Sequence, residues 1–559
     1  MDLGPHIFDL LASWFGSLEV REYFDDTRGG VESAALAKVT CGTGQGQVSG
    51  SIFLTRAFRT PNRMRIVFEN GQIDVDPHER SQIQIAFGNA EKPYITTADV
   101  PAFDPFVNQL ENFLAAVAGE ARLIASAEAG VAAAAAIDSC YARRKPYLEP
   151  WATTASAGVR ELDYPYKKIL LTGAAGSVGS RLVEMWADQN RSSELRCMVR
   201  SYRAAARIMR YSLEIVEADL TDKSAVKSAA EGCDAIVHLG VGEKASQETQ
   251  VLLEAARELG IKRFVHMSTA AVYGRSLPER IEALQERTDI TKTGEPYADE
   301  KAEAERAVMR ECARGLEGVI LRPHMVYGPY LRWSAELTEL LARNEVCVLE
   351  DGGWCNLIYV DDLVEAIKCA LSTEKGFGEP IFITDGAPLK WSEYIYAHAS
   401  LIGAHPPRKR SEDMASPKLT MRGWVRESVR PLFPIVKSAD FRAFVMESPA
   451  MRATVFRAYL ALREKQIFRP YLERMRDGAT VADSSAADRK GFSEMWTMLQ
   501  LSEARLSSER AAALIDFRPR VGFNEGLHRT TTWFERYGLA PVGLSSESSP
   551  REAFLVQKS

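Results

Sequence analysis

The sequence predicts an α/β protein whose main domain is a doubly wound parallel sheet with a helical C-terminal substrate region, preceded by an α+β domain with a mainly antiparallel open sheet. Two observations support this prediction. After residue 167, short apolar runs alternate with amphipathic helical stretches, which is typical of right-handed βαβ crossovers. Before residue 90, apolar and polar residues alternate one by one, as in strands with one buried face.

Composition limits the class of protein. A chain of 559 residues exceeds what one hydrophobic core serves, so several domains are expected. The 46% hydrophobic and 26% charged residues are typical of a folded protein, and the net charge of -6 gives no general attraction to nucleic acid or anionic membranes. The 8 cysteines form no C-x-x-C pair, so we expect neither a metal site nor disulfides, and a reducing compartment. With no basic, apolar leader at its start, the chain is expected to be cytoplasmic.

Local patterns divide the chain into segments. The stretch RMRIVFENGQIDVD predicts a hairpin that turns at Asn70-Gly71. The residues Phe106, Leu110 and Val117 recur at helical spacing. The stretch 408–476 is rich in basic and aromatic residues. Its aromatic side chains are predicted to pack on the core, and the alternative is that the stretch binds an acidic partner or a membrane. The predicted segments are the α+β domain (1–145), a proline-rich linker (146–166), the α/β domain (167–404), a basic helical insertion (405–507) and a flexible tail (541–559).

Three glycines follow the first strand of the α/β domain and open its first helix. In LLTGAAGSVGSRLVEMW they allow a tight turn, at which a pyrophosphate approaches the backbone N–H groups of a helix N-terminus. The flanking strand, helix and further β/α units make the motif specific for a Rossmann-type dinucleotide site. The residues expected to line this turn are Gly173, Ala175, Gly176, Ser177, Val178 and Gly179.

The next two strands end in residues expected to select and hold the cofactor. Arg200 follows the second strand, with Arg203 close behind, and guanidinium groups there suit a 2′-phosphate. The sequence therefore favours NADP over NAD, the alternative being a solvated surface arginine. Asp219 and Leu220 follow the third strand in EADL, where Asp219 is expected to contact adenine unless it only caps a helix.

Tyr297 and Lys301 stand four residues apart in PYADEKAEAE and share one face of a helix. A tyrosine hydroxyl titrates at about pH 10, and an adjacent ammonium group lowers its pKa by stabilising the phenolate. Thr269, in HMSTAAVYG after the fifth strand, offers a hydroxyl that holds a substrate oxygen during hydride transfer. These three residues are the predicted catalytic set.

In order and spacing these motifs resemble the extended short-chain dehydrogenase/reductases, the NAD-dependent epimerase/dehydratase family. The resemblance implies that Tyr297 is the acid/base group, that Lys301 is its partner and contacts the cofactor ribose, and that Thr269 rather than Ser268 completes the triad. The matching stretches are TGAAGSVG, EADL, STAAVYG, YADEK, LRPHMVYGP and NLIYVDDLVEAI, within 167–404, and the resemblance returns at 508–540.

Two departures concern the substrate. The arginine with which nucleotide-sugar members bind a diphosphate aligns with Cys355, next to Asn356, and the family's Arg-Pro-Gly-Asp stretch is missing. We expect an NAD(P)-dependent oxidoreductase or epimerase/dehydratase acting on a secondary alcohol or ketone of a sugar, nucleotide sugar or polyol. A hydroxysteroid- or dihydroflavonol-type reaction stays open. The expected partners are a small-molecule substrate and further copies of the chain, not nucleic acid, and contact of 408–476 with a membrane surface is the less favoured alternative.

Residues 1–145 resemble the C-terminal domain of the glucose-fructose oxidoreductase-like (Gfo/Idh/MocA) family through DLGPHIFDLLASWFG and the sheet and helix after it. The resemblance implies substrate-site roles for Asp2 and His6, the alternative being a helix that only packs its apolar side. Because the motif begins at Asp2, the module is expected to lack that family's own nucleotide-binding domain and to bind no nicotinamide itself, and Glu91-Lys92-Pro93 is interpreted as a chance match to the family's catalytic triplet. The module is expected to assemble copies or gather substrate. Alternatively, the chain is a cofactor-bound scaffold or regulatory protein, or a truncated bifunctional fusion.

Overall fold

The computed structural model describes residues 4–539 apart from 44–45, 59, 61, 76–81, 88–93, 101–103, 154–163, 243, 275, 278–289, 291 and 411–494. The chain forms two compact units: Met1–Val346 with Gly352–Pro407 and Leu499–Ser559, and Cys347–Asp351 with Arg408–Met498. Several predicted features lie outside the described residues: Asp2, Glu91-Lys92-Pro93, the middle of the linker 146–166, most of the basic insertion 405–507 and the tail 541–559.

The amino-terminal part of the first unit is an α+β module with two sheets. Its elements are α1 (Gly4–Phe15), β1 (Leu18–Asp25), β2 (Ala34–Thr43), β3 (Gly46–Thr55), β4 (Met64–Phe68), β5 (Gly71–Val75), β6 (Gln82–Phe87), β7 (Tyr94–Asp99), α2 (Pro105–Val117), α3 (Ala127–Ala142), β8 (Arg144–Pro146) and α4 (Pro150–Thr153). One sheet has the order β3-β2-β1-β8, antiparallel except that β8 runs parallel to β1, and β4 to β7 form an antiparallel meander. The predicted antiparallel sheet domain is confirmed.

The core of this module lies between the first sheet and two helices. Phe8 and Leu11 of α1 and Cys140 of α3 pack against Tyr23 of β1 and Val39 of β2. Strands β4 to β7 contain no buried side chain among their described residues, so the second sheet adds nothing to this core.

The β4–β5 hairpin differs from the prediction in its turn. Phe68 pairs with Gly71, so the turn residues are Glu69 and Asn70 rather than Asn70 and Gly71. Neither turn residue has a positive φ. At Gly71, the first residue of β5, a Cβ would stand 2.4 Å from the carbonyl oxygen of Ala86. The close neighbouring strand, and not the turn dihedrals, therefore requires glycine here.

The first part of the predicted linker 146–166 belongs to the fold. The N–H of Tyr147 donates to the carbonyl oxygen of Asp25 over 2.7 Å and continues the pairing of β8 with β1. The side chains of Tyr147 and Trp151 are buried. Prolines in this stretch predict a linker by themselves, but the two large aromatic side chains between them gain by burial.

The described chain after residue 163 contains the α/β domain and two strands of the second unit. Its elements are β9 (Ile169–Thr172), α5 (Ser177–Asp188), β10 (Leu195–Val199), β11 (Glu214–Glu217), α6 (Lys223–Ala230), β12 (Ala235–His238), α7 (Ala245–Leu259), β13 (Arg263–Met267), α8 (Pro296–Cys312), β14 (Glu317–Pro323), β15 (Met325–Tyr327), α9 (Arg332–Ala342), β16 (Cys347–Leu349), β17 (Leu357–Tyr359), α10 (Val360–Ser372), β18 (Pro380–Ile383), α11 (Trp391–Leu401), β19 (Arg408–Arg410), α12 (Glu509–Ile515) and α13 (Phe523–Arg536), with short 3-10 turns at Ser192–Glu194, Tyr202–Ala205, Ile208–Arg210 and Ala270–Tyr273.

Seven parallel strands form the main sheet in the order β11-β10-β9-β12-β13-β14-β18. The predicted doubly wound parallel sheet is confirmed, and β18 is a strand that the sequence did not reveal. Strand order reverses between β9 and β12, which opens a crevice at the carboxyl edge of the sheet. Helix α12 returns to this sheet and buries Ala511 and Ile515 in its core.

The second unit contributes to the described residues a parallel pair, β16 with β19. Across the part of the chain that the structure describes, no helix has both the length and the apolar character needed to span a bilayer.

A buried ion cluster joins the amino-terminal module to the α/β domain. The guanidinium of Arg210 contacts Asp26 at 3.1 Å and Glu149 at 2.7 Å, both from the module, and Glu184 of α5 at 2.7 Å. All four side chains are less than a tenth exposed. The carbonyl oxygen of Arg210 also accepts from the N–H of Arg28 over 2.7 Å. Module and sheet are thus held by charge-assisted contacts as well as apolar packing.

Candidate active site

The glycine turn between β9 and α5 is shaped by close backbone approaches. Gly173 has φ +70°, and a Cβ there would stand 2.6 Å from the nitrogen of Gly240. A Cβ on Gly179 would stand 2.2 Å from the carbonyl oxygen of Gly173. Gly176 is the N-cap of α5 and places no side chain over its first N–H groups, which leaves room for an anion. Ala175, Ser177 and Val178 lie half-buried along the same turn.

Beneath this turn a hydrogen-bonded chain, not anticipated from the sequence, ties β9 to β12. Thr249 donates to the carbonyl oxygen of Ala245, so it accepts from Nε2 of His238. Nδ1 of His238 then accepts from Thr172 over 2.8 Å, and Thr172 accepts from the N–H of Gly240. Burial lowers the pKa of His238 to about 3, which keeps the ring neutral. The sequence signal for this chain was a polar residue at the end of each of two apolar strands, and the structure pairs these residues, Thr172 and His238, in register.

The predicted selectivity residues lie at the rim. Arg200 and Arg203 are exposed after β10. Asp219 accepts from the N–H and the hydroxyl of Thr221, and these bonds, followed by the charge of Arg200, lower its pKa. The cap of α6 is Asp222, not Asp219, so the capping alternative does not apply to Asp219.

Leu220, which follows β11, lies close to Gly240, which follows β12. Its Cδ1 atom lies 2.8 Å from where a Cβ of Gly240 would be. The ends of β9, β11 and β12 therefore meet at one edge of the sheet, as the glycine motif predicts.

The ends of β13 and α8 carry the predicted catalytic residues. Lys301 is 4% exposed, and its Nζ donates to the carbonyl oxygen of Met267, the last residue of β13, over 2.8 Å. Tyr297, one turn earlier on α8, is 45% exposed. Thr269 is buried, and its hydroxyl oxygen accepts from the N–H of Ala271, which leaves its hydrogen to donate.

Lys301 places a positive charge at the carboxyl end of β13. Burial lowers the pKa of Lys301 to about 8, and the carboxylates of Glu305 and Glu248 act in the opposite direction. The side chain is therefore mainly cationic at neutral pH.

A second hydrogen-bonded network joins β14 to α8 and to the residues that follow β13. Arg322 donates from Nε and Nη2 to the two carboxylate oxygens of Glu305, over 2.8 and 2.6 Å, and from Nη1 to the hydroxyl of Tyr273 over 2.8 Å. The Ser268 hydroxyl donates to the same carboxylate. Since the Ser268 hydroxyl already donates its hydrogen to Glu305, Thr269 is the hydroxyl of the two that can donate to a further acceptor. Glu305 lies one helical turn beyond Lys301, and this spacing was the sequence signal that could have indicated a role for Glu305 near Lys301.

Other predicted positions lie elsewhere. Cys355 is buried, and Asn356 holds the segment after residue 499, donating to Ala504 and accepting from Leu506. His6 is exposed on α1. Within the described ranges no group of three or more His, Cys, Asp or Glu side chains is placed to hold a metal ion.

Comparison with known proteins gives one family match and several similar proteins. Residues 169–382 match the NAD dependent epimerase/dehydratase family. A Stigmatella aurantiaca protein, 4-hydroxy-2-methyl-3-oxo-4-farnesyl-3,4-dihydroquinoline-1-oxide ketoreductase, is 27% identical over 246 residues, 41% of this chain and 71% of its own. The 3 beta-hydroxysteroid dehydrogenase/Delta 5-->4-isomerase of Mycobacterium tuberculosis is 26% identical over 299 residues, 48% of this chain and 78% of its own.

Among solved structures, DesIV from Streptomyces venezuelae, a dTDP-glucose 4,6-dehydratase with NAD and TYD bound, has 20% identity and a TM-score of 0.45, and covers 66% of this chain and 97% of its own. The similarity to an enzyme family is therefore limited to residues 169–382, and the similar proteins are named as reductases, dehydrogenases and dehydratases.

Proposed function

We propose that this protein is an NAD(P)-dependent oxidoreductase that interconverts a secondary alcohol and a ketone, with Tyr297 as its acid/base group. The observation that carries the proposal is the buried ammonium of Lys301, which is held by Met267, two residues before Thr269, and lies one helical turn from Tyr297. A buried cation without a structural ion pair of its own is costly, and the phenolate of a working tyrosine is the group that it would stabilise.

The crevice fits a dinucleotide. The close approaches at Gly173 and Gly179 leave no room for side chains where a pyrophosphate would meet the start of α5. Arg200 and Arg203 would meet a 2′-phosphate, which is the basis for favouring NADP, and Lys301 would contact the ribose. When bound, the nicotinamide supplies or accepts the hydride.

The chain's own residues then have separate tasks. The Thr269 hydroxyl donates a hydrogen bond to the substrate oxygen and orients it. The Tyr297 hydroxyl gives a proton to that oxygen in reduction and takes it back in oxidation. The Lys301 ammonium stabilises the phenolate that Tyr297 forms when it gives up its proton.

For the substrate we propose an uncharged ketone or alcohol as the first class to screen. Similar proteins are named as a ketoreductase, a 3 beta-hydroxysteroid dehydrogenase and a 2-alkyl-3-oxoalkanoate reductase. Cys355, where a diphosphate-binding arginine was expected in nucleotide-sugar enzymes, is 1% exposed. Another relative is a dTDP-D-glucose 4,6-dehydratase, so sugars, nucleotide sugars and polyols belong in the same panel. The Gfo/Idh/MocA resemblance of residues 1–145 and a homo-oligomer remain predictions.

Cofactor titration is the first test. We expect NADPH to bind more tightly than NADH, and Arg200→Ala to weaken NADPH at least tenfold while leaving NADH unchanged. Arg257→Ala is the control, since Arg257 lies in the last turn of α7, which runs toward the opposite edge of the sheet. If neither NADPH nor NADH binds, the enzyme proposal is overturned in favour of the scaffold alternative.

The catalytic assignment is tested by Tyr297→Phe. Removing the proton donor should lower turnover about 100- to 10,000-fold and leave the Kd for NADPH unchanged. Tyr94→Phe, an exposed tyrosine of β7, should match the unmodified protein in both measurements. Turnover that survives in Tyr297→Phe would remove this residue from the mechanism.

A further inference from the structure

Helix α2 carries its apolar side outward. In the described structure none of its residues is buried. The apolar positions recur at helical spacing and occupy one side of the helix. These side chains, between 50% and 79% exposed, are Phe106, Val107, Leu110, Phe113, Leu114 and Val117.

The polar side of α2 is the side that faces the protein's own chain. Asn112 donates to the carbonyl oxygen of Arg122 and accepts from the N–H of Ile124, each over 3.0 Å. At 3.6 residues per turn, Asn112 points roughly opposite to the centre of the apolar side. The turn after α2 is therefore folded against the polar side, which is the reverse of a helix that packs on its own core.

The charge of α2 indicates what covers the apolar side. Between residues 105 and 117 Glu111 is the ionisable side chain, and there is no lysine or arginine. Helices that lie on membranes carry lysine and arginine on their polar side, and so do helices that bind nucleic acid. A neutral apolar surface can instead meet a second copy of itself without like-charge repulsion.

The size of the surface is consistent with such a contact. The six side chains expose on the order of 600 Å², at the upper limit of the apolar patches left open on monomers. A stable interface buries about 800 Å² on each partner. The α2 surface would supply most of that area from a single helix.

We propose that two copies of this chain associate through α2, apolar side against apolar side, across a twofold axis near Leu110. Such a contact is isologous, because the same surface serves both copies. It is independent of the catalytic assignment, and it places the predicted self-association on a helix rather than on the open sheet.

Analytical ultracentrifugation of the full-length protein over a concentration series tests the proposal. We expect a dimer for the unmodified protein and a monomer for Leu110→Glu, with dissociation constants at least 100-fold apart, because the variant places two carboxylates together at the axis. Asn108→Glu adds the same charge outside the apolar side and should remain dimeric. Leu110 is 58% exposed, and an unchanged far-ultraviolet circular dichroism spectrum would confirm that its variant folds.

Cross-linking gives a second readout. Leu110→Cys should form a disulfide with its own copy under mild oxidation, and the unmodified protein should not. An unmodified protein that is monomeric at every concentration, or a folded Leu110→Glu variant that stays dimeric, would overturn the proposal. So would a monomer that floats with phosphatidylserine-containing vesicles, since a membrane would then be the partner of α2.

Discussion

Lys301 brings a positive charge into the interior of the α/β domain. Its side chain is 4% exposed, and its nearest acceptor is the neutral carbonyl oxygen of Met267. The carboxylates of Glu305 and Glu248 offset the desolvation only in part, and the pKa of Lys301 falls to about 8. A residue that opposes folding in this way is typical of a functional site rather than of a structural ion pair.

This cost has a pH signature. The pKa of Lys301 is about 8 in the folded protein and 10.5 in the unfolded chain, so the unfolded state binds an extra proton between these values. The free energy of unfolding should therefore rise with pH across this window, by up to roughly 3 kcal/mol. In Lys301→Met this contribution is absent, and the stability advantage of the variant should shrink as pH rises.

Urea unfolding at several pH values from 7 to about 10 measures the difference between the two proteins. Lys227→Met, at an exposed lysine of α6, is the control and should show no such shrinking. A difference between Lys301→Met and the unmodified protein that is the same at every pH would contradict the low pKa of Lys301.

At the scale of elements, the β9–α5 turn depends on one backbone conformation and on its surroundings together. Gly173 and Gly260 both have φ +70°. Gly260 is the C-cap of α7, and a Cβ there would meet nothing within 4 Å. At Gly173 a Cβ would meet the backbone of Leu239 and Gly240 below 3 Å. The same φ is thus found at a helix end with open space around it and at a turn crowded by neighbouring backbone.

Alanine at these two glycines separates the two effects. Gly260→Ala should cost about 1 kcal/mol of stability through its backbone conformation alone. Gly173→Ala should cost more, since the loop of Gly240 must also move, and should weaken dinucleotide binding at least tenfold. Urea unfolding and cofactor titration of both variants check this expectation. Equal effects of the two substitutions on cofactor binding would contradict the assigned role of the turn.

At the scale of the whole first unit, the amino-terminal module and the α/β domain share a buried charge cluster. Glu184 of α5 lies between Arg207 and Arg210. Burial alone raises the pKa of Glu184, but the guanidinium groups around it lower it to about 2. Arg210 in turn reaches Asp26 and Glu149 of the module. The helix that begins at the glycine turn, α5, is therefore the helix to which the module is attached.

Arg210→Met would leave three buried carboxylates without their shared cation and should cost about 3–5 kcal/mol of stability. Because the cluster spans both parts, hydrogen exchange should rise together in β1 to β3 and in α5. Arg257→Ala, which removes a half-exposed ion pair, should change stability by less than about 1 kcal/mol. Faster exchange confined to residues 4–153 would show that the two parts are not coupled through Arg210.

Much of this architecture follows from local patterns. The strands from β9 to β14 were predicted as short apolar runs, and the structure has them in one parallel sheet. Tyr297 and Lys301 were placed on one helix by their spacing alone. By contrast, β18 is four residues long and begins with Pro380, too short a pattern to separate from a loop. The prediction that the hairpin turns at Asn70-Gly71 was wrong. Glycine is required at position 71 because Ala86 of the neighbouring strand approaches it closely, and not because of the turn.

The sequence by itself determined the order of most strands and helices, the glycine turn and the placing of Tyr297 and Lys301 on one helix, since these depend on residues within about two helical turns of one another. Only the tertiary structure decided which distant charges meet: Arg322 with Glu305, 17 residues apart, and Arg210 with Asp26, 184 residues apart. It also decided which side of α2 is covered. Helical periodicity shows which side is apolar, but the long-range packing of the chain decides whether that side faces its own core or a partner.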